Sequence, residues 1–192
     1  GSRIGIMIGD VSGKGVDAAA LGTVTTSMVR AVAYRNPEPE DILTQTNDAM
    51  TVQDTGGAFV TAFLAVLAPA TGHLSYVSCG HPPGLLRRAS GEIQWLGWGG
   101  VPLALVSGVR YNAQQTCMLP GDRLVLYTDG ISEARNGASM FGIEGIESLL
   151  ARNGGGSPRD LLVALLDAAD EYAHGQVRDD RAILIIDRKA NS

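Results

Sequence analysis

The chain has 192 residues, enough for one domain whose core buries roughly 70% of the surface that the unfolded chain exposes. Hydrophobic residues make up 45% and charged residues 18%, a balance that excludes an intrinsically disordered chain. The net charge of −5 excludes the basic composition of a typical nucleic-acid-binding domain. No apolar run reaches the roughly 20 residues of a membrane-spanning helix, and no signal peptide opens the chain. We therefore expect a cytoplasmic domain with no nucleic-acid or membrane partner in this segment.

The two cysteines, Cys79 and Cys117, are too few for a disulfide framework and lack the spacing of a metal site. Reduced thiols are therefore expected. Because each cysteine is flanked by apolar or small residues, we expect both side chains to pack inside the protein.

The N-terminal part of the chain predicts a strand and two helices. Residues 3–10 are apolar and rich in isoleucine, which favours a buried strand. Residues 16–35 predict a helix, and a second helix is predicted to carry Pro37 in its first turn. The expected buried stripe of the first helix is Leu21, Val24, Met28 and Val32. The expected stripe of the second is Ile42, Leu43, Thr46, Ala49 and Met50.

Strands grouped into hairpins follow. The predicted pairs, each joined by a turn, are 58–67 with 73–79, 85–88 with 93–96, and 110–119 with 122–128. The last third of the chain predicts a short helix near 143–150, a helix capped by Ser157, and a closing strand at 182–187. Strands clustered in hairpins favour an α+β fold over alternating βαβ units.

Acidic residues mark the ends of three predicted strands. Asp10 ends the first strand, Asp129 follows strand 122–128, and Asp179 and Asp180 precede the closing strand. A sheet can bring such strand ends together, and carboxylates without nearby histidine or cysteine favour Mg²⁺ or Mn²⁺. Paired ions of this kind activate water and stabilise phosphoryl oxygens. The alternative is that each aspartate only caps a turn or a helix, because Asp-Gly is common in turns.

The glycine-rich stretch GDVSGKG at 9–15 does not fit a phosphate-binding loop. Three residues rather than four separate its first glycine from Gly-Lys, and Gly15 stands where serine or threonine is required. A nucleotide-binding, kinase-like module is therefore disfavoured. The glycines still allow a tight turn from strand to helix.

One histidine and two tryptophans have two interpretations each. His81 lies in the loop CGHPPG, where a structural role is the simpler interpretation and a role near a phosphate, or as a proton donor, is the alternative. Trp95 and Trp98 flank a glycine-rich turn. Packing in the core or at its rim is the simpler interpretation for both, and an anchor for a protein partner is the alternative.

Six stretches together carry a family resemblance. They are IGDVSGKG (8–15), FVTAFLAVLAPATGHLSYVSCGHPPGLL (59–86), GGVPLAL (99–105), LPGDRLVLYTDGISEARN (119–136), MFG (140–142) and DDRAILIIDR (179–188). In these stretches, which follow the family's order and span nearly the whole chain, the protein resembles the metal-dependent protein phosphatases (PPM family). Within that family it is similar to the bacterial RsbU-like and SpoIIE-like serine phosphatases.

The resemblance implies a fold and a metal site. The fold is an αββα sandwich, in which two antiparallel sheets pack together with helices on their outer faces. A binuclear Mn²⁺ or Mg²⁺ site would lie between the sheets, with Asp10 bridging the two ions and the backbone carbonyl of Val11 holding one of them. Asp129 and Asp179 would bind the other ion, with Asp180 as a further candidate. No side chain would be the nucleophile, because a metal-bound water would attack phosphoserine or phosphothreonine directly.

The resemblance also implies a substrate and partners. The usual substrate in this branch is a phosphorylated anti-sigma-factor antagonist of the STAS type, whose dephosphorylation frees a sigma factor through partner switching. An upstream sensory or regulatory domain is expected in the full-length protein, and a homodimer is an open alternative.

The chain departs from the family pattern at its start. The family usually has an earlier Gly-Gly-Asp-x-Tyr-Asp segment whose aspartate holds the first metal, and this chain starts after that point. We expect a single domain over 1–192, truncated at its N-terminus, with Gly1 and Ser2 left from cloning and with weak or absent activity in these residues alone. The alternative is a non-catalytic or metal-deficient relative that acts as a partner-binding regulatory module. Ala182, where the family often has threonine, is a minor departure.

Overall fold

The computed structural model describes residues 2–53, 55–176 and 179–189, so Gly1 of the expected cloning remnant lies outside the described residues. These residues form two compact units. Unit 1 lies within residues 1–83 and 97–117, and unit 2 within residues 84–96 and 118–192. The expectation of a single domain across the chain stays a prediction.

The helices and strands come in blocks along the chain, as an α+β fold requires. In chain order they are β1 (Ile4–Val11), α1 (Val16–Arg35), α2 (Pro39–Met50), β2 (Val60–Ala68), β3 (His73–Cys79), β4 (Gly84–Arg87), β5 (Ile93–Leu96), β6 (Gln114–Cys117), β7 (Arg123–Tyr127), α3 (Asp129–Ser132), β8 (Arg135–Asn136), β9 (Ser139–Met140), α4 (Gly142–Asn153), α5 (Pro158–Tyr172) and β10 (Ile183–Asp187).

Unit 1 is an antiparallel sheet covered by two helices. Its strand order is β1-β2-β3-β6, and α1 and α2 pack on it. The core between helices and sheet includes Ile42, Leu43 and Met50 of α2, each at most 1% exposed. These side chains lie opposite alternate residues of β2, because successive strand residues point to opposite faces.

The buried face of α1 includes three of the four residues predicted for it. Leu21, Met28 and Val32 are half-buried and pack against the core, whereas Val24 is 37% exposed. The fully buried residues are Thr25 and Val29, which were not predicted. The Thr25 hydroxyl donates to the carbonyl of Leu21 at 2.7 Å, which satisfies its polar atom inside the helix and lets it lie against Met50. A prediction from apolar residues alone could not find Thr25, because threonine is polar and is buried here only through the hydrogen bond within its own helix.

The second helix begins two residues later than predicted. Pro39, not Pro37, is its first residue, and Glu38 is the N-cap. Proline suits the first helical turn at either position, so the pattern alone did not distinguish the two. The predicted stripe is otherwise correct, with Ala49 half-buried and the remaining members buried.

Unit 2 repeats the arrangement of unit 1 with a different strand order. Its antiparallel sheet has the order β10-β7-β4-β5, and helices α4 and α5 pack on it. Leu161, Leu165 and Ala169 recur at every fourth position of α5 and are fully buried in the core of this unit. Ser157 caps α5, because its hydroxyl accepts a hydrogen bond from the backbone N–H of Asp160 at 3.1 Å.

The predicted hairpin of residues 110–119 with 122–128 is wrong. β6 pairs with β3 in unit 1, whereas β7 pairs with β4 and β10 in unit 2. The turn itself exists, because the Asp122 N–H donates to the Leu119 carbonyl at 2.9 Å. A turn fixes only the local direction of the chain, so it did not reveal that its two strands belong to different sheets.

The other predicted hairpins and the α+β class with two antiparallel sheets and flanking helices are confirmed. The expectation for the cysteines is half right, since Cys79 is buried and Cys117 is exposed on the edge strand β6. Among the described residues, no helix is long and apolar enough to cross a membrane.

Candidate metal centre

Asp10 lies near the end of β1 in unit 1. It is half-buried, and in the antiparallel register it is paired with Thr61 of β2. The Thr61 hydroxyl donates to the backbone carbonyl of Asp10 at 3.4 Å. The next residue, Val11, ends β1 opposite Val60. The two predicted ligands of this unit are therefore held at the end of a strand whose position is set by its neighbour.

The turn after β1 is fixed by Ser12. Its backbone N–H donates to the carbonyl of Phe59 at 2.9 Å, and its hydroxyl accepts from the Phe59 N–H at 2.8 Å. Gly15 then stands at the N-cap of α1 with a φ of +93°, a conformation that glycine adopts without strain. The predicted tight turn from strand to helix is confirmed.

Asp129 is the first residue of α3 in unit 2, directly after β7. Its Oδ1 atom is buried, and its backbone carbonyl accepts from the Glu133 N–H at 2.6 Å. The preceding residue, Thr128, is 4% exposed. Asp129 therefore places a carboxylate, a hard oxygen ligand of the kind that Mg²⁺ or Mn²⁺ binds, directly after β7.

The segment with Asp179 and Asp180 is tied to the end of β7 through Thr128. The Thr128 hydroxyl donates to the carbonyl of Asp180 at 3.1 Å and accepts from the N–H of Ala182 at 2.9 Å. The Thr128 N–H donates to the carbonyl of Ala182 at 3.0 Å. These three bonds hold the acidic segment beside the strand that leads into Asp129.

Gly130 allows this close approach. A Cβ atom at this position would lie 3.0 Å from the carbonyl carbon of Asp180, too close for any other residue without movement. Asp179 itself is exposed, accepts from the Asp180 N–H at 3.0 Å, and lines a cavity of about 90 Å³ with Gly130 and Arg181. Unit 2 therefore places its candidate carboxylates on adjoining segments.

Two neighbouring groups shape the electrostatics of this region. Arg181 forms an ion pair with Asp170 of α5, so its charge is already matched by a carboxylate outside the candidate set. Burial raises the pKa of Tyr127, and the negative charge of Glu144 raises it further. Tyr127 therefore stays a neutral phenol at physiological pH in the core of unit 2.

The predicted ligands do not form a metal cluster by themselves. Within the described ranges, no group of three or more histidine, cysteine, aspartate or glutamate side chains could hold a metal ion. The donor chemistry nevertheless fits Mg²⁺ or Mn²⁺, because the candidates are carboxylates and a backbone carbonyl. Each of the three acidic segments therefore offers oxygen ligands of the kind that these ions prefer, at or close to a strand end.

His81 and the tryptophans have different surroundings. His81 lies in a loop and is 3% exposed, which is compatible with both interpretations of this residue. Trp95 and Trp98 are 37% and 69% exposed, so of the interpretations given above, rim packing and an anchor role remain.

Two threonines were not singled out by the sequence. Thr61 and Thr128 each hold the backbone of a candidate ligand segment through a hydroxyl group. The only available signal was their place beside the aspartates, Thr61 by strand register and Thr128 by adjacency.

The chain matches, over residues 1–189, the family described as Stage II sporulation protein E (SpoIIE). The phosphoserine phosphatase RsbU of Bacillus subtilis (strain 168) is 23% identical over 187 residues, which are 97% of this chain and 56% of RsbU. This chain therefore spans about half the length of that curated relative.

Two solved structures share the fold. The RsbU and RsbW domains of Rv1364c from Mycobacterium tuberculosis superpose with a TM-score of 0.85 at 25% identity, over 99% of this chain and 53% of that one. The catalytic domain of the serine/threonine protein phosphatase PstP, in complex with two manganese ions, gives a TM-score of 0.70 at 17% identity. That match covers 94% of this chain and 86% of PstP.

Proposed function

The chain belongs to the SpoIIE family, in the RsbU- and SpoIIE-like branch of the metal-dependent protein phosphatases, and we propose that it hydrolyses phosphoserine or phosphothreonine on a regulatory protein. The observation that carries this proposal is the family match over residues 1–189. It is joined by the placement of the three acidic segments, each of which lies at or close to the end of a strand.

The proposed metal ligands are the residues that the sequence indicated. Asp10 and the carbonyl of Val11 would serve in unit 1, and Asp129 and Asp179 in unit 2, with Asp180 as a further candidate. Two Mn²⁺ or Mg²⁺ ions, when bound, would supply an activated water and stabilise the oxygens of the phosphoryl group. The presence of two manganese ions in PstP supports this choice of metal.

The protein's own contribution is to hold these donors in place before substrate arrives. Thr128 holds the Asp180 segment against the end of β7, and Thr61 holds the end of β1. Preorganised donors need no rearrangement during the reaction, which is a main source of catalytic rate enhancement. Two threonine hydroxyls thus bond to the backbone of the segments that carry the proposed metal ligands.

The proposed substrate is a phosphorylated STAS-domain antagonist of an anti-sigma factor. The name of the RsbU relative, phosphoserine phosphatase, supports the phosphoserine class. The presence of RsbU and RsbW domains together in Rv1364c supports a role in a partner-switching system. We further propose that an upstream regulatory domain controls the phosphatase in the full-length protein.

A second candidate is a metal-deficient relative that regulates a partner by binding it. One observation favours it, namely that the described residues contain no group of three or more metal-binding side chains. Such a protein would bind the STAS-type partner without releasing phosphate.

The test is phosphate release from a phosphoserine STAS-type protein by the native-length protein, with Mn²⁺ and with a chelator. Metal-dependent release at substoichiometric protein supports the phosphatase. Binding of the partner without release, by protein whose circular dichroism shows it folded, supports the second candidate and contradicts the first.

A further inference from the structure

His81 is a buried polar side chain whose partner can be identified. It is 3% exposed, and its ring Nδ1 lies 3.1 Å from the Oγ1 of Thr61. Burying an imidazole costs free energy unless its nitrogens are hydrogen-bonded. An apolar residue would fill the same volume without that cost, so the histidine indicates a use for its polar atoms.

The loop that carries His81 is held on both sides. The Gly80 N–H donates to the carbonyl of Gly99 at 3.0 Å, and the hydroxyl of Ser78 donates to the carbonyl of His81 at 3.2 Å. Gly80 has a φ of +70°, and a Cβ atom there would lie 3.0 Å from Cγ of Pro102. The backbone therefore fixes the point from which the imidazole reaches Thr61.

The Thr61 hydroxyl is hydrogen-bonded to Asp10 as well as to His81. This hydroxyl donates to the Asp10 carbonyl at 3.4 Å, and with that proton engaged it accepts from Nδ1–H in the tautomer of His81 that is protonated at Nδ1. Gly9 permits the close approach of the two strands at this point, because a Cβ atom there would lie 2.6 Å from the carbonyl oxygen of Thr61. The three groups form a continuous chain of hydrogen bonds.

We propose that His81 is a positioning residue for the metal ligands of unit 1. By holding the Thr61 hydroxyl in line with the Asp10 carbonyl, it fixes the end of β1, which carries the Asp10 carboxylate and the Val11 carbonyl. This inference rests on the proposed function, because it assigns a role toward the proposed ligands. Groups that orient ligands from outside the coordination sphere typically contribute 10- to 100-fold in metal affinity.

The test is the affinity of the native-length protein for Mn²⁺, measured by electron paramagnetic resonance at a temperature where every variant is folded. His81→Leu and Thr61→Val remove the hydrogen bonds while keeping similar volume, and we expect each to weaken Mn²⁺ binding by roughly 10- to 100-fold. His81→Asn keeps a donor near the position of Nδ1, and Thr61→Ser keeps the hydroxyl, so both should recover most of the affinity. The control is His73→Asn, which changes an exposed histidine of β3 and should leave the affinity unchanged.

Failure of the positioning role and failure of the proposed function give different results in these measurements. Wild-type protein that binds Mn²⁺ as tightly as His81→Leu and Thr61→Val overturns the positioning role and leaves the function intact. A loss of affinity that Thr61→Ser and His81→Asn do not relieve assigns the effect to packing and also overturns it. Wild-type protein that binds no Mn²⁺ contradicts the proposed function, and the positioning role with it. Thr61→Val keeps the test decisive if His81→Leu does not fold.

Discussion

Asn47 of helix α2 uses both the nitrogen and the oxygen of its side-chain amide to bind the loop that follows Leu103. Its Nδ2 donates to the carbonyl of Val106 at 2.9 Å, and its Oδ1 accepts from the N–H of Ala104 at 3.0 Å. The side chain is fully buried, and Ala104 has a φ of +65°, which costs energy for a residue with a Cβ atom. Asn47 thus holds a strained loop position against the core of unit 1.

We expect Asn47→Ala to lower the free energy of unfolding by about 1 to 3 kcal/mol, because the variant loses both hydrogen bonds between α2 and the loop. Urea denaturation of the variant measures this loss. The matched control is Gln45→Ala on the exposed face of the same helix, for which we expect less than about 0.5 kcal/mol. Equal losses in both variants would contradict the role assigned to Asn47.

At the residue scale, the sequence predicted the candidate aspartates but not the groups that hold them. Asp10 and Asp129 could be found because an acidic residue after an apolar strand is a local pattern. Thr61 and Thr128 could not, because their hydroxyl groups bond to residues 51 and 52 positions away in the chain. His81 was noticed, but its burial depends on how β3 and the following loop pack.

Arg123 connects three elements of unit 2. At the start of β7, its guanidinium forms a two-point ion pair with Asp187 of β10, at 2.6 and 2.7 Å. Its Nη1 also donates to the carbonyl of Gly154, which follows α4, at 3.0 Å. The side chain is only 8% exposed, and the hydrogen bond to Asp187 raises the pKa of Arg123, so the charge persists in the fold.

We expect Arg123→Met to destabilise the protein by about 3 kcal/mol, since it leaves a carboxylate and a carbonyl without their partner. Differential scanning calorimetry provides the measurement. Arg159→Met replaces an exposed arginine of α5 and serves as the control, with little change expected. A loss of stability in Arg123→Met no larger than that in Arg159→Met would contradict the stabilising role assigned to Arg123.

At the element scale, short sequence patterns predicted the features that depend on residues close together in the chain. The capped start of α5 was correct because Ser157 and Asp160 lie within one helical turn. The pairing of β6 and β7 was wrong because partner choice depends on strands that lie far away in the sequence. The short helix α3 and the β8–β9 ribbon were not predicted, since elements this short have no hydrophobic period.

At the scale of the whole molecule, a buried thiol and a buried phenol make the free energy of unfolding depend on pH in the alkaline range. Burial raises the pKa of the Cys79 thiol to about 12 from its usual 9.0, although a hydrogen bond with Tyr111 lowers it in part. Burial also raises the pKa of Tyr111 above its usual range. Above pH 9 the unfolded chain therefore loses protons that the folded protein keeps, and stability falls as pH rises.

We expect the free energy of unfolding to decrease between pH 9 and 10.5, with Cys79 contributing about 1 kcal/mol per pH unit. In Cys79→Ala this part of the slope should disappear, even though the variant is less stable at pH 7. Urea denaturation at several pH values tests this, with Cys117→Ala as the control at an exposed thiol. An unchanged slope in Cys79→Ala would contradict the assignment.

The overall class of the fold could be predicted because apolar periodicity and turn residues report local structure over most of the chain. The division into two units could not, because residues 84–96 and 118–189 are separated by residues 97–117 of the other unit. No sequence pattern marks these boundaries as a linker. The proposed metal ligands could not be assigned to one site from sequence patterns for the same reason, since they come from segments more than 100 residues apart.

We propose that Asp129 binds a metal ion that phosphate release requires. The most direct test compares Asp129→Asn with wild type for Mn²⁺-dependent release of phosphate from a phosphoserine STAS-type protein, in the native-length protein. Asparagine keeps the shape of the side chain but removes its charge, so we expect kcat/KM to fall by about 100-fold or more while the protein stays folded. Asp167→Asn, at an exposed position of α5, should retain full activity. Equal activity in Asp129→Asn and wild type would contradict the account.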